Sequence, residues 1–149
     1  MIINHIKDFN HLRKVVYAAA GCAVSEKTFD EPTATTEDAP VTLFHDSPYS
    51  ISKLIGEMYG NYYFQRYDLP FVKARFQNVY GPREKHKDKM ASTILHFHNQ
   101  VKKNNICKLF KGTNGYKNGE QKRDFIFVED CADVNIWFMQ NPLKSGIFN

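Results

Sequence analysis

Apolar positions fall alternately into short continuous runs and into stripes three and four residues apart, a pattern that predicts strands and helices in turn. The run from Lys14 to Ala20, closed by Gly21, reads as a buried strand. Residues 25–47 form a long polar connection rich in Thr, Glu, Asp and Pro, and a connection of that length usually lies over a functional site. Asp46-Ser47-Pro48 ends it with capping side chains and a proline suited to a first helical turn. Ile51, Leu54, Ile55, Met58 and Tyr62 then mark one stripe of a helix from about Pro48 to Arg66, a stripe fit for either core or interface. Leu69-Pro70 breaks the helix, and Phe71 to Val79 reads as the next strand, closed by Tyr80-Gly81-Pro82.

Beyond Pro82 the pattern predicts a charged loop over Arg83–Lys89 and an amphipathic helix over Met90–Lys103 with Ile94, Phe97 and Val101 inward. A short strand at Lys108-Leu109-Phe110, a Gly/Asn-rich turn at 112–119 and a strand at Phe125–Val128 follow. Glu129-Asp130 opens a third helix carrying Cys131, Val134 and Phe138, with Trp137 and Phe138 read as core. Alternating strands and helices predict an α/β fold on a parallel sheet.

Composition narrows the classes. With 149 residues, 42% of them hydrophobic, the chain suits one folded domain and not a disordered segment. No apolar run approaches the ~20 residues of a membrane span, and the N-terminal stretch lacks a signal peptide's apolar core, so a cytoplasmic location is expected. Cys22, Cys107 and Cys131 form no CxxC pair and are expected as reduced thiols. The net charge of +4 is spread and mixed with acids, which argues against nucleic-acid binding. His96 and His98, two apart on a helix, point away from each other, so no metal site is expected.

Ser47-Pro48-Tyr49-Ser50-Ile51-Ser52-Lys53 carries the most pointed chemistry. Tyr49 and Lys53, four apart on a helix, share a face and can act on one ligand. A free phenol has a pKa near ~10, and a neighbouring ammonium lowers it by favouring the phenolate. Such a pair suits proton removal from a hydroxyl while a nicotinamide takes the hydride. Spacing alone more often reports a packed ring and a solvated charge.

The wider context goes further. KVVYAAAGCAV, SPYSISKLIGE, FVKARFQNVYGPRE, QKRDFIFVEDCADV and SGIFN occur in an order that resembles the extended short-chain dehydrogenase/reductases, the NAD-dependent epimerase/dehydratase enzymes of nucleotide sugars. From Arg75 onward, RFQNVYGPREKHKDKMAS and KLFKG resemble the ADP-glycero-manno-heptose 6-epimerase branch. The resemblance implies the back half of a Rossmann-like parallel sheet in residues 1–82, and part of a small substrate-binding region in 83–149, with 123–134 and 145–149 returning toward the sheet. It implies NAD or NADP as cofactor, a nucleotide-diphosphate sugar as substrate and a homo-oligomer. Carried over by position, Tyr49 is the acid/base, Lys53 holds the nicotinamide ribose and Lys87 is the base on the opposite face of the sugar. Tyr49, Lys53, Val79 and Lys87 fall beside the cofactor. Asn78, Lys89, His96, Phe110 and Arg123 fall at substrate positions, where Arg123 suits a diphosphate and Phe110 an adenine ring.

Three departures qualify the likeness. Ala20 stands where the family carries a Ser or Thr that hydrogen-bonds the reacting hydroxyl, and Lys89 stands where it carries a serine. No GxGxxG or GxxGxxG occurs in these residues, so the chain reads as the middle of an enzyme about twice as long, with no dinucleotide affinity tighter than about millimolar expected. The alternative reading is a truncated or decayed, non-catalytic family member acting as a binding or dimerisation module.

Overall fold

The computed structural model describes residues 5, 8, 11–23, 35–41, 45 and 47–149, in two compact units. The rest of the 25–47 connection and residues 1–4, 6, 7, 9, 10 and 24 fall outside the described residues. The first unit contains residues 35–76 and 132–149 together with the N-terminal strand, and the second contains residues 77–131.

In the first unit, β1 (Val15–Ala20), helix α1 (Pro48–Tyr67), β2 (Phe71–Phe76) and β5 (Gly146–Phe148) build an α/β layer. The sheet is parallel throughout, in the order β1-β2-β5, with Val16 opposite Val72 and Ala74 opposite Phe148. This is the fold class expected from the alternating pattern. Ser47 caps α1 by accepting from Ser50 N at 3.3 Å, Pro48 fills the first turn, and Asp68 ends it in the left-handed conformation.

The strand period of two divides β2 between two faces. Val72 and Ala74 join Phe138 in the core, where Val16, Phe76, Val134 and Phe148 close around them. Phe138 belongs to α3 (Val128–Gln140), and its ring lies 4.7 Å from that of Phe148. Lys14 ties the end of α3 down by donating to the Phe138 carbonyl at 3.2 Å and the Asn141 carbonyl at 2.6 Å. On the other face Phe71, Lys73 and Arg75 meet α1. Gly60 admits the Phe71 ring, Asn61 accepts from Lys73, and Glu57 takes Arg75 in a fork of two 2.8 Å bonds.

That face answers whether the apolar stripe of α1, fit by pattern for either core or interface, forms the core. The side of α1 turned to the sheet is Ser50, Glu57, Gly60 and Tyr63, because β2 offers it a ring and two cations. The stripe of Ile51, Ile55, Met58 and Tyr62 therefore points away and stays exposed. Trp137, read as core, is likewise half exposed, whereas Phe138 is buried.

In the second unit, β3 (Val79–Tyr80) pairs in parallel with β4 (Ile126–Phe127), and α2 (Thr93–Asn104) starts at the Ser92 cap. The single strand expected over Phe71–Val79 is thus two, broken at Asn78, whose φ of 25° leaves extended geometry. Residues 85–90 form short 3-10 turns ahead of α2, so the helix begins later than the apolar spacing implies. Ile94 and Val101 are exposed, and Phe97 packs on Phe110 at 5.9 Å. Lys108, Leu109 and Phe110 join no strand among the described residues; instead the Phe110 carbonyl accepts from Gly119 N at 2.9 Å and closes a loop.

Candidate active site

The first unit carries Tyr49 and Lys53 at the start of α1, beside the C-terminal end of β1. Lys53 Nζ donates to the Ala18 carbonyl at 2.7 Å and lies 5.6 Å from the centre of the Tyr49 ring. The two side chains therefore share a face, as their spacing requires. Tyr49 is 55% exposed, open to a ligand. Partial burial, and then the electrostatic influence of the nearby Cys22, push its phenol above the ordinary value. The direction is thus upward, not the lowering expected from an ammonium four residues on, and Lys53 Nζ is engaged instead by the Ala18 carbonyl.

Ala20 ends β1 at 7% exposure and brings no hydroxyl to this edge. A 3-10 turn at Gly21–Ala23 follows and packs on α1, carrying the half-buried Cys22. Tyr17, which the sequence pattern marked only as a strand residue, also faces the lysine: its ring centre is 5.5 Å from Nζ.

The second unit gathers another group. Asn78, Val79 and Lys87 line one cleft of about 200 Å³ with Glu84, Met90, Ser92, Thr93 and Phe125. Three residues singled out from the sequence thus meet at one place. Asn78 is held by donating from Nδ2 to the Asp124 carbonyl at 3.0 Å. Glu84 is the residue that sequence reasoning missed, hidden in a run of charges that reads as a solvated loop. It is 6% exposed and accepts from Gly81 N at 2.9 Å, Ser92 N at 2.6 Å and Ser92 Oγ at 3.0 Å. Burial pushes its carboxyl up. Bonds from Ser92 and Gly81, with the Lys87 charge, outweigh that and hold it below the usual carboxylate range.

The remaining candidates stand apart from that cleft's lining. Lys89 and Arg123 are exposed, the latter donating to the Lys122 carbonyl at 3.1 Å. His96 is half-buried on α2, and Phe110 is 57% exposed beside Phe97. Among the described residues no cluster of three His, Cys, Asp or Glu could hold a metal, and no helix is long and apolar enough to cross a membrane.

Comparison with known proteins converges on one group. ADP-L-glycero-D-manno-heptose-6-epimerase of Thiobacillus denitrificans is 57% identical over 75 residues, which are 50% of this chain and 23% of that protein. The solved ADP-L-glycero-D-manno-heptose-6-epimerase of Helicobacter pylori superposes with a TM-score of 0.70 at 29% identity, covering 99% of this chain and 41% of that one. The Bordetella bronchiseptica enzyme WbmF, solved in complex with NAD+ and UDP, superposes with a TM-score of 0.73 at 35% identity, over 99% of this chain and 41% of that one. The chain spans less than half the length of each of these relatives. The sequence profile of the NAD dependent epimerase/dehydratase family matches residues 2–149, and the chain belongs to that family.

Proposed function

We propose that the chain supplies the Tyr-Lys part of an NAD- or NADP-dependent nucleotide-sugar epimerase, most similar to the ADP-glycero-manno-heptose 6-epimerases. The observation that carries this reading is the Lys53 ammonium 5.6 Å from the Tyr49 ring at the C-terminal end of a parallel strand. Ligands of open α/β sheets bind at that end. Lys53 fits a ribose there, because an ammonium has donors to spare beyond the one engaged by Ala18. When bound, the nicotinamide supplies hydride acceptance and return.

The residues of this chain supply the proton chemistry. Tyr49 handles the proton of the reacting hydroxyl in one orientation, and Lys53, on leaving the Ala18 carbonyl for the ribose, draws the phenol pKa down. Lys87 serves the hydroxyl on the opposite face of the sugar, since inversion needs a proton donor for each orientation. Val79 lies beside the cofactor. Asn78, Lys89, His96, Phe110 and Arg123 hold the nucleotide and sugar, with Arg123 on the diphosphate and Phe110 over the base.

In this reading residues 1–82 belong to the cofactor half and 83–149 to the substrate-binding region, with 123–134 and 145–149 returning toward the sheet. The protein works in the cytoplasm as a homo-oligomer, and the exposed face of α1 with Ile51, Ile55 and Met58 suits the subunit contact. Ala20 favours a second reading, a non-catalytic binding or dimerisation module, since a missing donor at the reacting oxygen costs about 3–4 kcal/mol by analogy with oxyanion donors.

The two are separated by turnover of ADP-glycero-manno-heptose in the protein completed with a glycine-rich cofactor half. Epimerisation that Tyr49→Phe abolishes supports the first reading. Activity untouched by that substitution removes Tyr49 from the mechanism, and inactivity restored by Ala20→Ser assigns the second reading to the natural chain.

A further inference from the structure

We propose that Tyr17 is a positioning residue for Lys53, holding the ammonium at the end of β1. A lysine has a flexible four-carbon stem, and the first turns of α1 do not by themselves fix where Nζ lies. Tyr17 touches the residue at both ends. Its ring centre is 5.5 Å from Nζ, and its hydroxyl donates to the Lys53 main-chain carbonyl at 3.4 Å. With the Tyr49 ring centre at 5.6 Å, the ammonium lies over two aromatic rings and has the Ala18 carbonyl as acceptor.

Tyr17 is itself built in. Gly56 leaves room for it, since a Cβ there would lie 2.1 Å from the Tyr17 hydroxyl oxygen, and the Phe71 ring stands 6.1 Å from its own. The helix is thus indented opposite this one side chain. The inference rests on the reading that Lys53 serves a nicotinamide ribose, and it assigns to Tyr17 the task of presenting that lysine.

The test is NMR on the whole chain with ¹³C-labelled lysine, the Lys53 signal being identified by its loss in Lys53→Arg. The Lys53 Cε protons are expected upfield of those of the other lysines, through the ring currents of Tyr17 and Tyr49. Tyr17→Leu should move them toward the rest and Tyr17→Phe should restore them, with Val72 methyl signals reporting an intact core. Gly56→Ala, which drives the ring aside without removing it, should act like Tyr17→Leu. A wild-type Lys53 signal that coincides with exposed lysines, or one unmoved by both Tyr17→Leu and Gly56→Ala, overturns the proposal. NADH at millimolar concentration should then shift Lys53 in wild type and Tyr17→Phe, with several-fold weaker apparent affinity in Tyr17→Leu. A Lys53 that follows Tyr17 but stays unmoved while other signals of the chain respond to NADH overturns the ribose role instead, so the two failures are told apart.

Discussion

Glu84 grips Ser92 twice, through the main-chain N–H at 2.6 Å and the hydroxyl at 3.0 Å. The same carboxylate accepts from Gly81 N, and Ser92 Oγ in turn caps α2 by accepting from Leu95 N at 3.2 Å. One buried acid therefore gathers both ends of the arc that carries Lys87 on the rim of the cleft. The arc has no apolar core of its own, so its shape depends on these few polar bonds.

A pH dependence follows. The folded Glu84 carboxyl is held below its ordinary value, so the folded state takes up this proton less readily than the unfolded chain. Its stabilisation is complete above the unfolded value near ~4.3 and fades as pH falls through the lowered folded one. Amide exchange at Gly81 and Ser92 should accelerate across that acid window. Glu84→Gln should lose this pH dependence and cost about 1–3 kcal/mol at neutral pH, because an amide nitrogen cannot accept the N–H left facing it. An unchanged acid profile in Glu84→Gln would show that another group controls the arc.

Arg75 and Glu57 form a buried ion pair, at 2% and 3% exposure, between β2 and α1. Arg75 Nη1 finds no acceptor among the described residues. Removing one partner strands a charge, so Glu57→Ala should cost about 3–5 kcal/mol in thermal or urea unfolding. Replacing both, as Glu57→Leu with Arg75→Met, should recover most of that loss, since an apolar pair of similar volume escapes the desolvation penalty. A double variant no more stable than Glu57→Ala would mean that packing, and not charge, governs this contact.

This pair also marks where the sequence was legible and where it was not. The parallel α/β class, the Ser47-Pro48 start of α1 and the shared face of Tyr49 and Lys53 follow from local rules of periodicity and capping, and all are found. The direction that α1 faces was not legible. Its apolar stripe of Ile51, Ile55 and Met58 outweighs, by pattern, the inward line of Ser50, Glu57 and Gly60. Contacts distant in sequence, the pairing of Glu57 with Arg75 eighteen residues on and the Phe71 ring against Gly60, make the polar side the buried one. Glu84 was hidden for the same reason: a burial that depends on tertiary partners gives an isolated acid no local signature.

Gly60 provides a check on that close packing. A Cβ there would meet Phe71 Cε1 at 2.2 Å, and Phe71 is 2% exposed, with little room to yield. Gly60→Ala gains about 1 kcal/mol of helix propensity but overpacks the interface, at a cost of typically 1–3 kcal/mol. Because the obstructing atoms belong to a confined ring, the clash should dominate and lower the unfolding midpoint. A rise in midpoint would mean that α1 lifts off β2 freely, which would also loosen the Glu57–Arg75 fork.

Asp88, between Lys87 and Lys89, has φ 46° and ψ −118°, the first central conformation of a type II′ turn and one that glycine favours. The Ala91 N–H donates to the Asp88 carbonyl at 3.1 Å, which helps hold this residue in place. A side chain held there costs about 1–3 kcal/mol, against the roughly 0.5–1 kcal/mol that glycine loses through its freer unfolded chain. Asp88→Gly should therefore stabilise the second unit, by about 1 kcal/mol, and slow amide exchange at Ala91. Asp88→Ala tests the cause, because it removes the carboxylate while keeping the Cβ. If the strain is steric, alanine gives none of the gain; if Ala91 is protected equally in both variants, the penalty lies in the Asp88 charge and the dihedral argument fails.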